Sequence, residues 1–466
     1  MLFSNTVFLF LFLPLVLIIY YLLPGRTWRN VFLTLSSLFA YAWGEPSSLI
    51  VMLASVCVNH FVGLRLGMDQ PQPTRKRFIR IGLVFNIGLL AAFKYAAFAA
   101  SGLNAALGLA LPVPQVMAPL GISYFTFMAI SYVMDVYAGK EQPQRSLMNM
   151  AMYLSLFTKL PQGPIVQYAS FPEQIDGRRE TMSDFTAGAR RFMVGLAKKI
   201  IIADNLALMV NHAYGLPDDG LSVGVAWIAS VFFHVQVFYD WVGYTDMALG
   251  LSQMFGFHFM ENFNYPMLAK SVTDFWRRWH ISLCMWFRNY LFFPLGGSRV
   301  KSKWRLAFNM LVVWLVTGLW HGATWSCVLW GLSFFMLLVL EKMTPFGKWI
   351  EKHWLGYVYS NVAVCIVTVV LRAVSVPSAL ARIGAMFGAG ATRLWDATAS
   401  MYLREYGLFM AVAVLLSVPF GPWLEAKLHI PKAVSEPLRA VAVAVAFIIA
   451  LSYMSMGSFS AFVYRI

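Results

Sequence analysis

Two histidines stand in aromatic and apolar sequence, where an ionisable side chain is unusual. His321 lies in TGLWHGATW (317–325), between Gly318 and Gly322, and His280 lies in RRWHISL, 41 residues earlier. An imidazole titrates near neutral pH, so it can take a proton from a hydroxyl group. An ionisable residue at membrane depth is costly and is a functional candidate by default. The alternative for both is structural, a histidine that only completes a hydrogen bond in the core or at a helix break.

Carboxylates form a second group of candidates. Asp240 and Asp246 interrupt the otherwise apolar stretch 232–256, which also contains His234. Such carboxylates can orient a histidine or carry protons, but they can equally pair with a basic residue for structural reasons alone. Asp204, in KKIIIADNL, is a weaker candidate because it lies near a predicted helix end.

The segment 271–299, SVTDFWRRWHISLCMWFRNYLFFPLGGSR, predicts an amphipathic interfacial helix. Ser271 followed by Asp274 is typical of a helix start, and at 100° per residue Trp276 and His280 share one face. The other face carries three basic residues that could meet donor phosphates or lipid headgroups: Arg277, Arg278 and Arg288.

Several kinds of chemistry lack their usual motifs. The sequence has no P-loop, no G-x-G-x-x-G, no G-x-S-x-G and no H-E-x-x-H. Its four cysteines show no C-x-x-C spacing, so we predict no metal site and no permanently bound cofactor. If the chain is an enzyme, direct transfer assisted by histidine is favoured over a covalent intermediate.

The elements that position these residues are predicted to be membrane helices. The chain has 466 residues, of which 59% are hydrophobic and 12% charged, about half the charged share of a soluble domain. Apolar runs of about 20 residues recur from end to end, which predicts an all-α polytopic membrane protein with about 11 spans. Some segments are short or interrupted by Gly and Pro and are expected to be re-entrant. The predicted spans are about 5–23, 30–44, 47–64, 80–100, 117–137, 147–163, 190–212, 221–250, 305–320, 322–341, 357–375, 405–420 and 434–457. The stretch 376–404 is predicted to be a surface loop or to hold an interfacial helix.

The basic charge is interpreted as membrane anchoring. A formal net charge of +15 would suggest nucleic acid in a soluble protein, but here the basic residues stand in short loops beside apolar runs. We therefore expect membrane lipids as partners and no nucleic acid. The basic loop 65–80 predicts a cytoplasmic side, which puts the N-terminus on the periplasmic side.

Two function classes fit these residues. A proton-coupled transporter would use His321, Asp240 and Asp246 as a proton path, and it predicts internal repeats with paired broken helices. A membrane-embedded transferase predicts a polar-aromatic element near a buried histidine, and 271–299 together with 317–325 supply it. No convincing repeat is visible, so the transferase is favoured.

The sequence resembles the membrane-bound O-acyltransferase (MBOAT) family, and most closely its bacterial branch that acetylates exopolysaccharide, as in alginate O-acetylation. The resemblance covers roughly residues 1–345, with diagnostic motifs within 120–325. These include LGISYFTFMAISYVMDVYAG, QGPIVQY, KKIIIADNLA, FYDWVGYTDMALGL, ENFNYP, the 271–299 segment and TGLWHGATW. Residues 346–466 carry no diagnostic motif, and the whole chain is predicted to be a single membrane domain.

The resemblance implies a fold and a site. It implies a ring of tilted helices around a central tunnel, with His321 as the catalytic histidine and His280 as the second family histidine. Residues in and near the family motifs are expected to support the site or line the tunnel: Asp204, Asp240, Tyr244, Asp246, Asn262, Trp279 and Trp320.

The resemblance also implies an activity. The family branch takes acetyl from cytoplasmic acetyl-CoA and passes it across the bacterial inner membrane, with a periplasmic acetyltransferase partner, to a secreted or periplasmic polysaccharide. Departures from the alginate pattern, such as Lys159 and Gln162 in FTKLPQGP, leave the acceptor open between alginate, cellulose and peptidoglycan. Teichoic-acid-directed transfer is a more distant alternative.

Overall fold

The computed structural model of the protein describes residues 1–160 and 162–455, and within these ranges the chain forms helices, turns and irregular loops but no β-strand. The helices of the first half are α1 (Phe8–Leu22), α2 (Gly25–Ala42), α3 (Pro46–Leu66), α4 (Gln72–Leu107), α5 (Ile122–Tyr137), α6 (Leu147–Ser155), α7 (Pro172–Gly177), α8 (Met182–Ala197), α9 (Asp204–Gly215) and α10 (Val223–Met254). Those of the second half are α11 (Val272–Arg278), α12 (Ile281–Phe287), α13 (Lys303–His321), α14 (Trp325–Met343), α15 (Phe346–Lys352), α16 (Leu355–Arg372), α17 (Val376–Met386), α18 (Ala397–Leu416), α19 (Phe420–Leu428) and α20 (Lys432–Ser455).

Length and composition make this a polytopic all-α membrane protein, as the sequence predicts. Among the described residues, seven helices are long and apolar enough to cross a membrane, namely α3, α4, α10, α14, α16, α18 and α20, and α1 is a shorter apolar helix. The number is lower than the predicted 11 because several predicted spans are helices that are too short or not apolar enough to cross a membrane, for which about 20 apolar residues are needed. Helix α5 has 16 residues and α6 only nine, so these predicted spans are too short or too irregular to be counted.

The predicted surface stretch 376–404 is largely helical. It contains α17 and the first turns of α18, which Asp396 caps by accepting a hydrogen bond from the backbone N–H of Ala399 at 2.8 Å. The end of the last predicted span, residues 456 and 457, lies outside the described residues.

The Cα positions group into two compact units. One unit contains Met1–Ala189 and Ala248–Met260, and the other contains Arg190–Met247 and the described residues from Glu261 onward. The prediction of a single domain and that of a central tunnel are untested and stay predictions.

In the first unit, α3 packs against α4, α5 and α6. Arg75, one of the basic residues of the loop 65–80, is buried there and donates hydrogen bonds to the carbonyl oxygens of Leu66 and Tyr137. Arg75 of the basic loop therefore has a structural role, because it connects the ends of α3 and α5.

In the second unit, α13 packs along α14, and α14 also contacts α11 and α16. Helix α10 is 83% buried over its most apolar window, whereas the other long apolar helices are 11–44% buried. Because it is enclosed by protein and not lipid, α10 can carry His234, Gln236 and Asp240 at membrane depth.

Candidate active site

His321 is the last residue of α13. The helix stops there because Gly322 takes an extended conformation, and Thr324 then starts α14 by accepting a hydrogen bond from the backbone N–H of Cys327 at 3.2 Å. The imidazole thus lies at the break between two helices.

Close contact between α13 and α14 holds this break in place. A Cβ atom on Gly318 would lie 2.5 Å from the carbonyl oxygen of Cys327, and one on Gly331 would lie 2.4 Å from the carbonyl oxygen of Trp314. Neither glycine has room for a side chain, so both serve close helix packing.

Aromatic rings surround His321. Its ring centroid lies 4.4 Å from that of Trp330, 4.9 Å from that of Trp320 and 6.5 Å from that of Trp241. The walls around the imidazole are therefore large and rigid, and they come from α10, α13 and α14.

The segment 271–299 does not form one continuous amphipathic helix, and this prediction is wrong. Ser271 caps α11 as expected, accepting a hydrogen bond from the backbone N–H of Asp274 at 3.0 Å, but the helix ends at Arg278. His280 has a φ of 46°, a left-handed conformation that interrupts helices, and α12 begins at Ile281. The break turns His280 out of the face it would share with Trp276, so helical spacing does not describe its surroundings.

Asn262 holds His280 in this conformation. The Oδ1 atom of Asn262 accepts hydrogen bonds from the backbone N–H and the hydroxyl of Ser282, at 3.1 and 2.9 Å, and lies 3.2 Å from Nδ1 of His280. The backbone N–H can only donate, so this atom is an acceptor and Nδ1 carries the proton in the neutral ring. The lone pair of neutral His280 is therefore on Nε2, which is buried and has no hydrogen-bond partner in the described part of the chain.

Two indole rings lie close to both histidines. The Trp241 centroid is 4.8 Å from that of His280, and the Trp320 centroid is 5.9 Å from it. The same two indoles flank His321, so the two histidines share one aromatic environment. Asn262, Trp320 and both histidines, which the sequence selects as site residues, thus lie together.

A small cavity of about 30 Å³ opens beside His321. Trp279, another residue that the sequence selects, lines it together with residues of α10, α11, α14 and α16. Those other lining residues are His234, Val237, Trp241, Phe275, Trp276, Trp330, Phe334, Val364, Thr368 and Leu371.

A larger cavity of about 490 Å³ borders the small one, because Trp276 lines both. Arg277, Arg288 and Lys342 are exposed residues that line it. Its apolar walls include Leu283, Phe287, Met310 and Trp314, all buried. Arg278, the third predicted arginine, does not line it and pairs with Asp274 at 3.0 Å.

Glu341 fixes the position of α11 between these cavities. Its carboxylate accepts hydrogen bonds from the backbone N–H groups of Val272 and Thr273, at 2.6 and 2.8 Å, and from the Thr273 hydroxyl at 2.6 Å. A carboxylate at a helix N-terminus satisfies backbone donors that have no partner within the helix.

The predicted carboxylates pair with basic residues. Lys199 Nζ lies 2.6 Å from Asp204 and 2.6 Å from Asp240, and all three side chains are nearly completely buried. Asp246 pairs with Arg191 and Lys198 at 2.9 and 2.7 Å. Each carboxylate therefore has a basic partner, as the structural alternative expects, and the role of these carboxylates in the site stays a prediction.

Tyr244 is fully buried one helical turn after Trp241, and it does not line the cavity beside His321.

Among the residues that the sequence prediction omits from the site, His234 has the clearest signal, since it is a histidine in an apolar run. Its Nε2 lies 3.2 Å from the Met267 sulfur, and its ring stacks on Trp279. The contribution of α16 has no sequence signal, because that helix lies beyond the diagnostic motifs.

Comparisons with known proteins agree with this architecture. The family model of the membrane-bound O-acyltransferases matches residues 144–380, which include both histidines and both cavities. The probable alginate O-acetylase AlgI of Azotobacter vinelandii is 38% identical over 404 residues, covering 85% of this chain and 80% of that protein. The protein of the same name from Pseudomonas putida is 35% identical over 428 residues, covering 90% and 87%. The peptidoglycan O-acetyltransferase of Helicobacter pylori is 32% identical over 363 residues, covering 71% and 68%.

The chain therefore belongs to the membrane-bound O-acyltransferase family. It is a multi-pass membrane enzyme of the O-acetyltransferase class.

Proposed function

We propose that this enzyme takes an acetyl group from acetyl-CoA on the cytoplasmic side of the bacterial inner membrane and passes it to a hydroxyl group of a secreted or periplasmic polysaccharide. The observation that carries the proposal is the pair of adjoining cavities: a large one with cationic residues and a small one beside His321, with Trp276 lining both.

The large cavity suits the body of the donor. Arg277, Arg288 and Lys342 can meet phosphate groups, and the apolar walls suit the pantetheine arm that leads to the thioester. Coenzyme A carries charge at one end and a thioester at the other, which matches a cavity with charged and apolar parts.

The histidines supply acid and base chemistry. In the proposed reaction a histidine takes the proton of the acceptor hydroxyl, and the oxygen attacks the thioester carbonyl. The carbon–sulfur bond then breaks, and the proton ends on the sulfur of free coenzyme A. We assign the base to His321, which lines the small cavity. His280, whose Nδ1–H faces Asn262, orients reacting groups or stabilises their charge through Nε2.

The acceptor side of the proposal rests on relatives. Two of the reported relatives bear the name of an alginate O-acetylase, so a secreted polysaccharide is the first acceptor class to test. The acceptor hydroxyl of this step belongs either to the polymer itself or to a periplasmic acetyltransferase that then completes transfer to the polymer, and the N-terminus lies on the periplasmic side. Peptidoglycan is the second candidate, favoured by the Helicobacter pylori relative.

The first experiment measures release of free coenzyme A from labelled acetyl-CoA by the purified full-length protein, supplied with acceptor polymer. We expect His321→Ala to lower kcat by about 10²–10⁴-fold, the usual contribution of a general base. His353→Ala, a substitution at an exposed histidine, is the matched control and should match the wild type. A well-folded His321→Ala protein with wild-type activity would contradict the proposed base.

The second experiment separates donor phosphates from lipid headgroups. Arg277→Gln and Arg288→Gln should raise KM for acetyl-CoA but leave KM for S-acetyl-pantetheine, which lacks the phosphates, unchanged. Arg278→Gln, outside the cavity, is the control. An equal effect on both donors, together with a lower requirement for anionic lipid, would assign these arginines to headgroups instead.

A further inference from the structure

We infer that the small cavity beside His321 is the acyl-binding pocket and that its aromatic walls restrict the donor to a two-carbon acyl group. This inference rests on the proposed function, because it assumes a thioester donor in the adjoining large cavity. It assigns acyl-length selectivity to named residues, including residues of α16, a helix that lies outside the diagnostic motifs.

The size of the cavity agrees with an acetyl group. It measures about 30 Å³, and a cavity needs roughly 10–15 Å³ to hold one water-sized group. It therefore has room for two or three non-hydrogen atoms, and an acetyl group has three. A butyryl group would need space for two further carbons.

The walls of the cavity are mostly apolar, so they suit a methyl group. They are also closely packed, so the cavity cannot easily enlarge. Phe334 is 1% exposed, and its ring centroid lies 5.0 Å from those of Trp276 and Trp330 and 5.4 Å from that of Trp314. Each of these rings is held by its neighbours, and close-packed interiors leave little space for displacement. A longer acyl chain would have to move several large side chains together.

Helix α16 completes the pocket. Val364, Thr368 and Leu371 lie one turn apart along it, so they share one face, and all three line the cavity. These branched side chains are smaller than the aromatic rings of the other walls. The α16 wall is therefore the place where a single substitution can enlarge the pocket without disturbing the aromatic cluster.

Because the pocket lies beside His321, its size limits the acyl group that reacts there. A thioester carbonyl whose methyl group fills the cavity lies next to the imidazole. One extra methylene in a tight apolar pocket typically changes kcat/KM by about 10–200-fold. We expect the wild-type protein to prefer acetyl-CoA over butyryl-CoA by at least about tenfold.

The test measures release of coenzyme A from acetyl-, propionyl-, butyryl- and hexanoyl-CoA by the full-length protein with acceptor present. Phe334→Ala and Leu371→Ala should each reduce the acetyl-to-butyryl ratio of kcat/KM by about tenfold or more. Leu371→Ala leaves the aromatic cluster intact, so it decides the question if Phe334→Ala fails to fold. Met336→Ala, on the exposed side of the same helix as Phe334, is the matched control and should leave the ratio unchanged.

Three results would overturn the inference. Equal wild-type rates with acetyl-CoA and butyryl-CoA would contradict a size-restricting pocket while leaving the proposed function intact. An unchanged ratio in folded, active Leu371→Ala protein would place selectivity elsewhere. A wild-type protein that cleaves none of these thioesters would contradict the proposed function and, with it, the inference.

Discussion

The Nδ1 atom of His280 lies 3.2 Å from the Oδ1 atom of Asn262, an oxygen that already accepts the backbone N–H of Ser282. This relationship fixes the tautomer of the neutral imidazole and places its lone pair on Nε2. It also joins two motifs, ENFNYP (261–266) and RRWHISL (277–283), which helical periodicity does not place side by side.

Removing this acceptor should reduce activity. We expect Asn262→Leu to lower kcat/KM for acetyl transfer by about tenfold to hundredfold, because a buried hydrogen bond is lost and either tautomer of His280 becomes accessible. The pH profile of kcat/KM should shift as well. Asn262→Asp keeps an acceptor oxygen and should retain more activity. Ser282→Ala removes a hydroxyl donor but keeps the Asn262 oxygen, and it is the control. Wild-type kcat/KM and an unchanged pH profile in Asn262→Leu would show that this contact does not position His280 for catalysis.

The contact between α13 and α14 should not tolerate a side chain. In Gly331→Ala the new Cβ would meet the backbone carbonyl of Trp314 at 2.4 Å, and a backbone atom cannot move away cheaply. We expect a loss of about 1–3 kcal/mol in the free energy of unfolding, and lower activity because Trp330 flanks His321. Thermal unfolding in detergent and acetyl transfer measure the two effects.

Gly407→Ala is the matched control for that substitution, because a Cβ there has nothing within 4 Å. Its expected effect is neutral or slightly stabilising, since alanine favours a helix interior over glycine by about 1 kcal/mol. Equal stability of the two variants would contradict the close approach at Gly331.

The buried ion cluster around Lys199 should be a structural requirement. Lys199→Met leaves the carboxylates of Asp204 and Asp240 buried without their shared cation. Removing one partner of a buried ion pair typically costs about 3–5 kcal/mol, so a large drop in the unfolding temperature is expected. Lys352→Met, at an exposed site, should have little effect. A stable Lys199→Met protein with altered acetyl transfer would instead assign the cluster to function.

The stability of the first unit should depend on pH through Glu180. Burial opposes ionisation of this carboxyl, but hydrogen bonds from Arg26 and Tyr20 outweigh burial and hold its pKa below the ordinary value of 4.5. A lowered pKa in the folded state stabilises the fold above pH 4.5, and this contribution is lost as the pH falls below that value.

We therefore expect the unfolding temperature of the wild type to fall below pH 4.5 and Glu180→Gln to show a smaller fall. At pH 7 this variant should be less stable by about 1.5–3 kcal/mol, the usual value of hydrogen bonds to a charged group. Glu173→Gln, at an exposed carboxyl, is the control. Identical pH curves for Glu180→Gln and the wild type would contradict this account.

Much of the architecture can be predicted from sequence because lipid imposes a simple rule. Backbone groups in a bilayer must bond within their own segment, so long apolar runs become helices, and the bounds of α3, α10 and α16 lie close to the predicted spans. Short segments are harder to predict. Helix α6 and the turns that follow it sit in an apolar run that predicts a span, yet the helix has nine residues.

Part of the candidate site can also be predicted. His321 and His280 stand out because ionisable groups are rare in apolar sequence. The arrangement of 271–299 is not predictable from helical spacing, because His280, a non-glycine residue with positive φ, divides the segment. Asn262 holds that break from outside the segment.

The sequence by itself determined the class of protein, its helical membrane architecture and its two principal histidines, because composition and local pattern report solvent environment directly. Tertiary structure alone decided which groups meet: that Asp240 pairs with Lys199, and that Leu371 of α16 lines the same small cavity as His321. Those contacts depend on packing between helices distant in sequence, such as α10 and α16, where the Ser230 hydroxyl donates to the carbonyl oxygen of Cys365, and no local pattern encodes the distance between them.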